Sequence, residues 1–342
     1  MRVSEAAAET NVGRKRRHNE DSFVADPPVF AVADGMGGAQ AGEVASALAA
    51  ETVKESETDP SASGEERVVA LIKAANLRVH QRAASDTSAS GMGTTMTVAL
   101  LEPDGTVAIG HVGDSRAYRL RAGRLEQLTD DHSLVAELVR RGELSPEEAA
   151  VHPQRSVITR ALGTDADVDV DAFTVEARDG DLFLLCSDGL TTMVDTDTIS
   201  GILEQNRGRL EVATRALIKA ANDRGGDDNI TAILFTVADG DGDATVENML
   251  IAAAAASIDT DEDTLHPEDD VRLPLPPATA PPAEMTMVVS AEEIARAREQ
   301  QQESVSEPEG ERASPVRIAI ALLVIALLVG LIVLLVLDAL PR

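Results

Sequence analysis

The sequence contains very few aromatic residues and almost no cysteine. It has no tryptophan, one tyrosine, five phenylalanines and a single cysteine, Cys186. So few aromatic rings leave no platform on which nucleic-acid bases could stack. One cysteine excludes both an internal disulfide framework and a cysteine-based zinc site. The core must therefore consist mainly of aliphatic side chains, and the chain suits a reducing compartment.

Basic residues are also scarce. The 30 Lys and Arg residues are outnumbered by 59 Asp and Glu residues, which gives a net charge of −29. A charge of this sign repels the phosphate backbone of nucleic acids, so we expect no nucleic-acid partner. Hydrophobic residues nevertheless make up 44% of the 342 residues, which is enough to form a sizeable core and excludes wholesale disorder.

The longest apolar run lies near the carboxyl end, at residues 318–337, and contains no charged residue. A helix of this length is about 30 Å long, the thickness of the hydrocarbon core of a bilayer. Arg312 and Arg317 precede the run, whereas Arg342 is the only basic residue after it. We therefore predict a single-pass helix in the cell membrane and use the positive-inside rule to orient it. The amino-terminal part then faces the cytoplasm, and residues 338–342 form a short extracytoplasmic tail.

The composition changes again before this run. Between Asp239 and Arg312 there are 19 acidic and four basic residues, together with seven prolines. Such a segment buries too little apolar surface to offset the entropy lost on ordering it. We therefore predict a disordered, acidic, proline-rich linker at residues 239–317. The folded domain is expected at residues 1–238.

Within this domain, short apolar runs of strand type alternate in groups with amphipathic helical patterns. The strands follow one another through short turns, which favours antiparallel hairpins and an α+β domain. The predicted strands lie at residues 29–33, 95–101, 106–112, 117–121, 170–175, 181–186 and 230–237. The predicted helices lie at residues 41–54, 65–84, 133–141 and 210–221.

Acidic residues recur beside glycine, serine or asparagine at the ends of these apolar runs. A single Asp-Gly pair is typical of a turn. Several carboxylates at strand ends of one domain would repel each other unless a cation lay between them. Oxygen ligands without His or Cys favour Mg²⁺ or Mn²⁺ over zinc. The clusters are Asn19-Glu20-Asp21, Asp34-Gly35, Gly113-Asp114-Ser115, Ser187-Asp188-Gly189 and Asp227-Asp228-Asn229.

Two such cations can share a water, lower its pKa and present hydroxide to phosphorus, so that no protein nucleophile is needed. A phosphate would also require a cationic partner. Arg16, in the basic run at residues 14–17, is the candidate, because a guanidinium can hold two phosphate oxygens. The alternative for this run is a solvated basic patch. Its position five residues before Asp21 favours a functional role.

Taken together, the motifs RRHNED, FAVADGMGGAQAGEVAS, HVGDSRAY, LTDDHSLV, ITRALG, LLCSDGL and DDNITAIL resemble those of the metal-dependent protein phosphatases of the PP2C (PPM) type. The resemblance spans about residues 10–237 and is strongest to the bacterial membrane-anchored branch. It implies a four-layer α-β-β-α sandwich, here followed by a C-terminal transmembrane helix. It also implies hydrolysis of phosphoserine and phosphothreonine in proteins by a metal-bridged hydroxide, with two Mn²⁺ or Mg²⁺ ions per site.

The resemblance also implies the metal ligands. Asp34 would bridge the two ions, and the Gly35 carbonyl would bind one of them. Asp188 and Asp228 would bind the other ion. Asp114 falls where several bacterial members bind a third, weaker ion.

Three further positions follow from the same resemblance. Glu20 and Asp21 would act through metal-bound waters or behind the ligands. Arg16 falls at the family's phosphate-binding arginine, so Arg16 and Asp34 are the residues implied in catalysis. Met36 stands where eukaryotic members carry a histidine proposed to protonate the leaving group. The general acid is therefore unassigned, and a metal-bound water is the preferred donor.

The expected partners are phosphorylated proteins, in particular Ser/Thr kinases and their substrates at the membrane. A different class of function is a pseudophosphatase, a membrane-tethered module that binds phosphoproteins without hydrolysing them. Such a module need not keep Asp34, Asp188 and Asp228 together. All three are present, which favours the enzyme.

Overall fold

Two antiparallel sheets form the centre of the protein, seen in a computed structural model that describes residues 1–37, 41–86, 89, 91–240 and 287–288. In the first sheet the strand order is β1 (Arg2–Asn11), β12 (Ile230–Ala238), β11 (Leu182–Cys186), β7 (Arg116–Arg121) and β8 (Arg124–Gln127). In the second sheet the order is β10 (Asp171–Glu176), β6 (Thr106–Val112), β5 (Met96–Leu101), β3 (Val29–Met36) and β2 (Asp21–Asp26). The short strand β4 (Gly93–Thr94) pairs with β3, and β9 (Val157–Ile158) pairs in parallel with β13 (Met287–Val288).

Several of the described helices begin at residues whose side chains cap them. Ser63 and Glu66 form a reciprocal capping box at the start of the second helix, and Asp195 caps the sixth. The helices are α1 (Ala41–Glu55), α2 (Gly64–Ser85), α3 (Leu134–Arg140), α4 (Pro146–Ala150), α5 (Asp188–Thr191), α6 (Thr196–Gln205) and α7 (Leu210–Asp223).

Three buried clusters divide the domain into layers. Between the sheets, the ring of Phe235 stacks on Phe30 with centroids 4.1 Å apart and on Phe183 with centroids 5.0 Å apart. On the far side of the second sheet, α1 and α2 bury aliphatic side chains against β3, β5 and β6. On the far side of the first sheet, α6 and α7 do the same. The four-layer α-β-β-α sandwich expected from the sequence is therefore confirmed.

The predicted strands and helices of the domain are all present, within a few residues of the expected ends. The sequence patterns did not indicate β1, β2 or β8, nor the helices α4, α5 and α6. Among the residues that the structure describes, no helix is long and apolar enough to cross a membrane. The predicted transmembrane helix at 318–337 and tail at 338–342 lie outside those residues. So does the predicted linker, apart from residues 239–240 and 287–288.

Candidate active site

Five aspartates from separate parts of the sequence meet at one end of the two sheets. Strand pairing places Asp21 of β2 directly opposite Asp34 of β3. Asp188 begins α5 just after β11, and Asp228 lies two residues before β12. Burial raises the pKa of Asp34 well above its ordinary value, and the charges of Asp21, Asp188, Asp228 and Asp114 raise it further. All four of these carboxylates are therefore close enough to act on Asp34.

The other aspartates of this cluster are perturbed in the same direction. Burial raises the pKa of Asp21 to about 7, although hydroxyl donors from Ser187 and Thr231 oppose the shift. Burial and the neighbouring Asp228 raise the pKa of Asp188 to about 6. Burial and Asp188 also raise the pKa of Asp114. Burial and mutual repulsion thus shift these acids towards their protonated forms unless positive charge compensates them.

Two carboxylate oxygens of this cluster lack hydrogen-bond partners. Asp21 Oδ2 accepts from Ser187 Oγ at 2.8 Å and from Thr231 Oγ1 at 2.6 Å. The buried oxygens Asp21 Oδ1 and Asp188 Oδ1 have no partner among the described residues. A buried carboxylate oxygen without a partner is costly, and a hard divalent cation satisfies it better than any other ligand. The cluster therefore fits the Mn²⁺ or Mg²⁺ ions expected from the sequence.

The carboxylates do not form a complete metal-coordination shell in this structure. Within the described ranges, no group of three or more His, Cys, Asp or Glu side chains could hold a metal ion as it stands. Asp228 has a cationic partner from the chain itself, because its Oδ2 accepts from Arg16 Nη2 at 2.7 Å. The other guanidinium nitrogen, Arg16 Nη1, lies 3.7 Å from Glu20 Oε2. The expected phosphate-binding arginine thus neutralises one of the expected metal ligands.

Two glycines of the Asp-Gly pairs are required by close packing. A Cβ added to Gly35 would lie 2.1 Å from the Gly42 carbonyl oxygen and 2.6 Å from that of Glu20. A Cβ added to Gly189 would lie 2.0 Å from the Asn229 carbonyl oxygen. No side chain fits at these distances. The glycines therefore allow neighbouring backbones to hold Asp34 and Asp188 in place.

Asn229 is a positioning residue that the sequence reasoning missed. Its amide nitrogen Nδ2 donates to the carbonyl oxygens of Val12 and His18, each at 2.9 Å, and its Oδ1 accepts from Glu20 N at 2.8 Å. These bonds join the loop that carries Arg16 and Glu20 to the start of β12. The available signal was its place directly after Asp228, where an amide can bond to several backbone groups at once.

Three histidines, His18, His111 and His132, lie within the quoted motifs, and the last two are buried hydrogen-bonding residues. His111 Nε2 donates to the Asp130 carbonyl oxygen at 3.1 Å, so Nδ1 of the neutral ring accepts from Thr97 Oγ1 at 2.9 Å. Burial lowers its pKa to about 3. His132 Nδ1 accepts from Gly113 N at 3.0 Å, and burial lowers its pKa as well. Neutral imidazoles with lowered pKa values are poor proton donors at neutral pH, and His18 is exposed.

Comparison with known proteins gives a consistent result. The family model described as protein phosphatase 2C matches residues 13–235. The serine/threonine phosphatase stp of Listeria welshimeri is 43% identical over 235 residues, which cover 66% of this chain and 92% of that protein. The serine/threonine protein phosphatase PstP of Mycobacterium tuberculosis is 41% identical over 262 residues, which cover 76% of this chain and 49% of that protein.

Solved structures show the same fold. The crystal structure of the M. tuberculosis phosphatase PstP/Ppp superimposes with a TM-score of 0.66 at 37% identity, and the match covers 70% of this chain and 100% of that chain. A crystal structure of the PstP catalytic domain in complex with two manganese ions gives a TM-score of 0.64 at 36% identity, again covering 70% and 100%.

The raised pKa values predict how stability depends on pH when chelator removes divalent cations. Between about pH 4 and pH 7 the folded protein keeps protons on Asp21 and Asp188 that the unfolded chain has lost. The free energy of unfolding should therefore fall as pH rises through this window. Urea unfolding of the wild type and of Asp21→Asn measures the effect, and the variant should show a smaller decrease.

A control variant and a measurement with Mn²⁺ complete this experiment. The exposed neighbour of the site, Asp227, provides the control variant Asp227→Asn, which should follow the wild-type profile. Mn²⁺ should raise the melting temperature more at pH 7.5 than at pH 5.5, because the cation binds deprotonated carboxylates. Superimposable pH profiles for the wild type and Asp21→Asn would contradict the charge arrangement of the cluster.

Proposed function

The chain belongs to the protein phosphatase 2C family and is a protein serine/threonine phosphatase, and from this premise we propose how its own residues act. The reaction is hydrolysis of phosphoserine and phosphothreonine in proteins. The observation that carries the proposal is the convergence on Asp34 of four further carboxylates, two of which have buried oxygens without partners among the described residues. A module that only binds phosphoproteins has no need for such a cluster of anions, which would repel a phosphate.

Divalent cations complete this site. Asp34, Asp188 and Asp228 would hold two Mn²⁺ or Mg²⁺ ions together with the Gly35 carbonyl, and Asp114 lies beside Asp188 as a ligand for a third. When bound, the ions supply positive charge that makes water a nucleophile at neutral pH and stabilises charge on the phosphoryl oxygens. The catalytic domain of one relative, PstP, crystallises in complex with two manganese ions, which supports this choice of metal.

The chain's own groups support the ligands. Asp21 lies behind Asp34 and is held by the hydroxyls of Ser187 and Thr231. Glu20 is fixed through its backbone, since its N–H donates to Asn229 and its carbonyl accepts from Gly35 N at 3.0 Å. These bonds keep the carboxylates close together despite their repulsion, which is the preorganisation that electrostatic catalysis requires.

Arg16 would bind the phosphate. Its side chain is 34% exposed, so a ligand can reach the guanidinium from solvent. Asp228 and Glu20 hold the group at the edge of the carboxylate cluster. A guanidinium in this place orients the phosphoryl oxygens and offsets the negative charge of the surrounding acids.

The proton for the leaving serine or threonine oxygen does not come from Met36, whose thioether has none to give. His111 and His132 are also unsuited, because burial lowers the pKa of each. We therefore keep water as the proposed donor, in line with the metal-bound water preferred from the sequence, rather than one of these three side chains.

We further propose that the enzyme acts at the cell membrane, where it counteracts Ser/Thr protein kinases. The support is the uncharged apolar run at residues 318–337, with basic residues mainly on its amino-terminal side. The catalytic domain would face the cytoplasm, connected to the anchor by the acidic linker at 239–317. Phosphorylated kinases and their substrates at the membrane are then its targets.

The first prediction concerns the acidic cluster. Asp34→Asn and Asp188→Asn should each lower Mn²⁺-stimulated phosphate release from a phosphothreonine peptide by more than about a hundredfold, because each removes a cation ligand. Both variants should fold, since each removes a repelling charge. The matched control, Asp227→Asn, should retain wild-type turnover. Unchanged release by either cluster variant, with the fold intact, would refute the assignment.

The second prediction concerns Arg16. Arg16→Ala should raise KM for the phosphothreonine peptide by about 10- to 100-fold, the effect of losing charge-assisted hydrogen bonds to phosphate, with a smaller change in kcat. Steady-state kinetics on the peptide measure both constants. The neighbouring exposed Arg17 provides the control variant Arg17→Ala. Equal KM values for the two variants would leave the phosphate without its proposed partner.

The third prediction concerns the membrane. The full chain should float with liposomes after alkaline extraction, whereas a variant with Leu327→Arg and Leu331→Arg should not, because each central arginine costs about 2.5–3.5 kcal/mol of insertion free energy. The variant with isoleucine at both positions is the control and should float. Flotation of the arginine variant would show that this run is not the anchor. Phosphopeptide hydrolysis should be the same in all three proteins.

A further inference from the structure

The short strand β9 pairs both with the rest of the domain and with the acidic segment that follows the domain. On one side, Ile158 forms an antiparallel bridge with Ser133, and Thr159 N donates to the His132 carbonyl oxygen at 2.8 Å. On the other side, β9 pairs in parallel with β13, with Val157 opposite Met287 and Ile158 opposite Val288. One edge of β9 thus belongs to the domain, and the other edge receives backbone from far along the chain.

The position of β9 connects it with the active site. The side chain of Ile158 is buried in a small cluster with Met36 and Ala161. Met36 is the last residue of β3 and follows Asp34 and Gly35 directly. A displacement of β9 would therefore be transmitted to Met36, which lies two residues after the proposed metal ligand Asp34.

A second connection runs through His132. This residue accepts from Thr159 N through its carbonyl oxygen, and its Nδ1 accepts from Gly113 N at 3.0 Å. Gly113 immediately precedes Asp114. The strand β9 is thus attached to two of the loops that carry acidic residues of the cluster.

We propose that the outer edge of β9 is a docking surface for extended backbone, and that its occupant is the chain's own segment at Met287–Val288. Docking would fix β9 against Met36, so the linker would act on the active site as well as tether it. The catalytic consequence rests on the proposed phosphatase function, whereas the docking itself does not. This is β-strand addition to an open edge, a common mode of peptide recognition.

The length and composition of the chain support an intramolecular occupant. Residues 241–286 connect the two described parts and can span up to about 150 Å, whereas a domain of 240 residues has a radius of gyration of about 18 Å. The segment itself, MTMVV at residues 285–289, is uncharged and contains two adjacent valines, which suit a strand. Proline-rich sequence precedes it and acidic sequence follows it.

The tether also explains how so short a ladder can form. Two paired residues provide too few hydrogen bonds for a separate peptide to bind tightly. A covalent connection instead presents the segment at an effective concentration on the order of millimolar. Docking of this kind is reversible, and a second copy of the chain would compete only at comparable concentrations.

Hydrogen exchange of the full chain in detergent micelles tests the proposal. Met287→Pro combined with Val288→Pro removes the N–H donors of the segment, and Ala278→Pro is the matched control in the same linker. Exchange at the amide of Ile158, which is paired with Val288, should become about tenfold faster or more in the double variant and remain unchanged in the control. The amides of Val157 and Thr159 donate to carbonyl oxygens of the domain and should not change in either variant. Equal exchange in the wild type and the double variant would overturn the proposal.

Two further measurements distinguish the other outcomes. Deletion of residues 285–289 should accelerate exchange as the double variant does, and each change should lower the melting temperature by no more than about 6 °C, because loss of a tenfold docking equilibrium removes only about 1.4 kcal/mol of stability. Protection that increases with protein concentration would assign the occupant to a second copy and overturn docking within one chain. Exchange is measured without substrate, so a failure of the proposed hydrolysis would leave this test intact.

Discussion

Mutual repulsion among buried carboxylates is the constraint on which the rest of this site depends. Asp34 lies within reach of four other acids, and burial and their charges together raise its pKa. A flexible scaffold would relieve this repulsion by letting the acids move apart. The two sheets do not allow it, because Asp21 and Asp34 are fixed opposite each other by the register of β2 and β3. The repulsion is thus retained as an affinity for positive charge, which divalent cations and Arg16 can satisfy.

The surrounding contacts keep this unfavourable arrangement in place. Gly35 and Gly189 allow backbone carbonyls to approach more closely than any side chain would permit. Asn229 joins the loop of Arg16 and Glu20 to the first residues of β12 through three hydrogen bonds. The stability of the domain comes from elsewhere, from the buried apolar clusters between the layers, which include the stacked phenylalanines. Structural and chemical roles are therefore carried by different groups of residues.

Much of this architecture could be predicted from the sequence, and the rest could not for identifiable reasons. The run LFLLC gave β11 because an uninterrupted apolar stretch of this length indicates a buried strand. The first strand, RVSEAAAETN, was missed because Ala and Glu favour helices. It is a strand because its small residues fit between the layers, where Ala6 pairs with Phe235. Tertiary packing there overrides local propensity.

The candidate site shows the same division between features that the sequence predicted and contacts that only the structure revealed. The acids and Arg16 were identified from residue types and their sequence neighbours, because carboxylates at the ends of apolar runs can be recognised without the structure. The contact of Arg16 with Asp228, 212 positions away, depends on how two loops meet in space. Asn229 was missed for the same reason, since an amide reveals its partners only when the loops are assembled. Sequence therefore indicated the chemistry, whereas the pairing of the groups required the fold.

The position of β12 within the first sheet has a consequence for how the protein folds during synthesis. This strand is the last of the domain to be synthesised, yet it lies between β1 and β11. The first sheet cannot be completed until β12 has been synthesised up to residue 238. A further 79 residues, 239–317, precede the apolar run, and at about 5–20 residues per second they take roughly 4–16 s to translate. Domains dominated by long-range strand pairing fold within milliseconds to seconds. Synthesis of the acidic segment thus gives the phosphatase domain time to fold before the apolar run at residues 318–337 is translated.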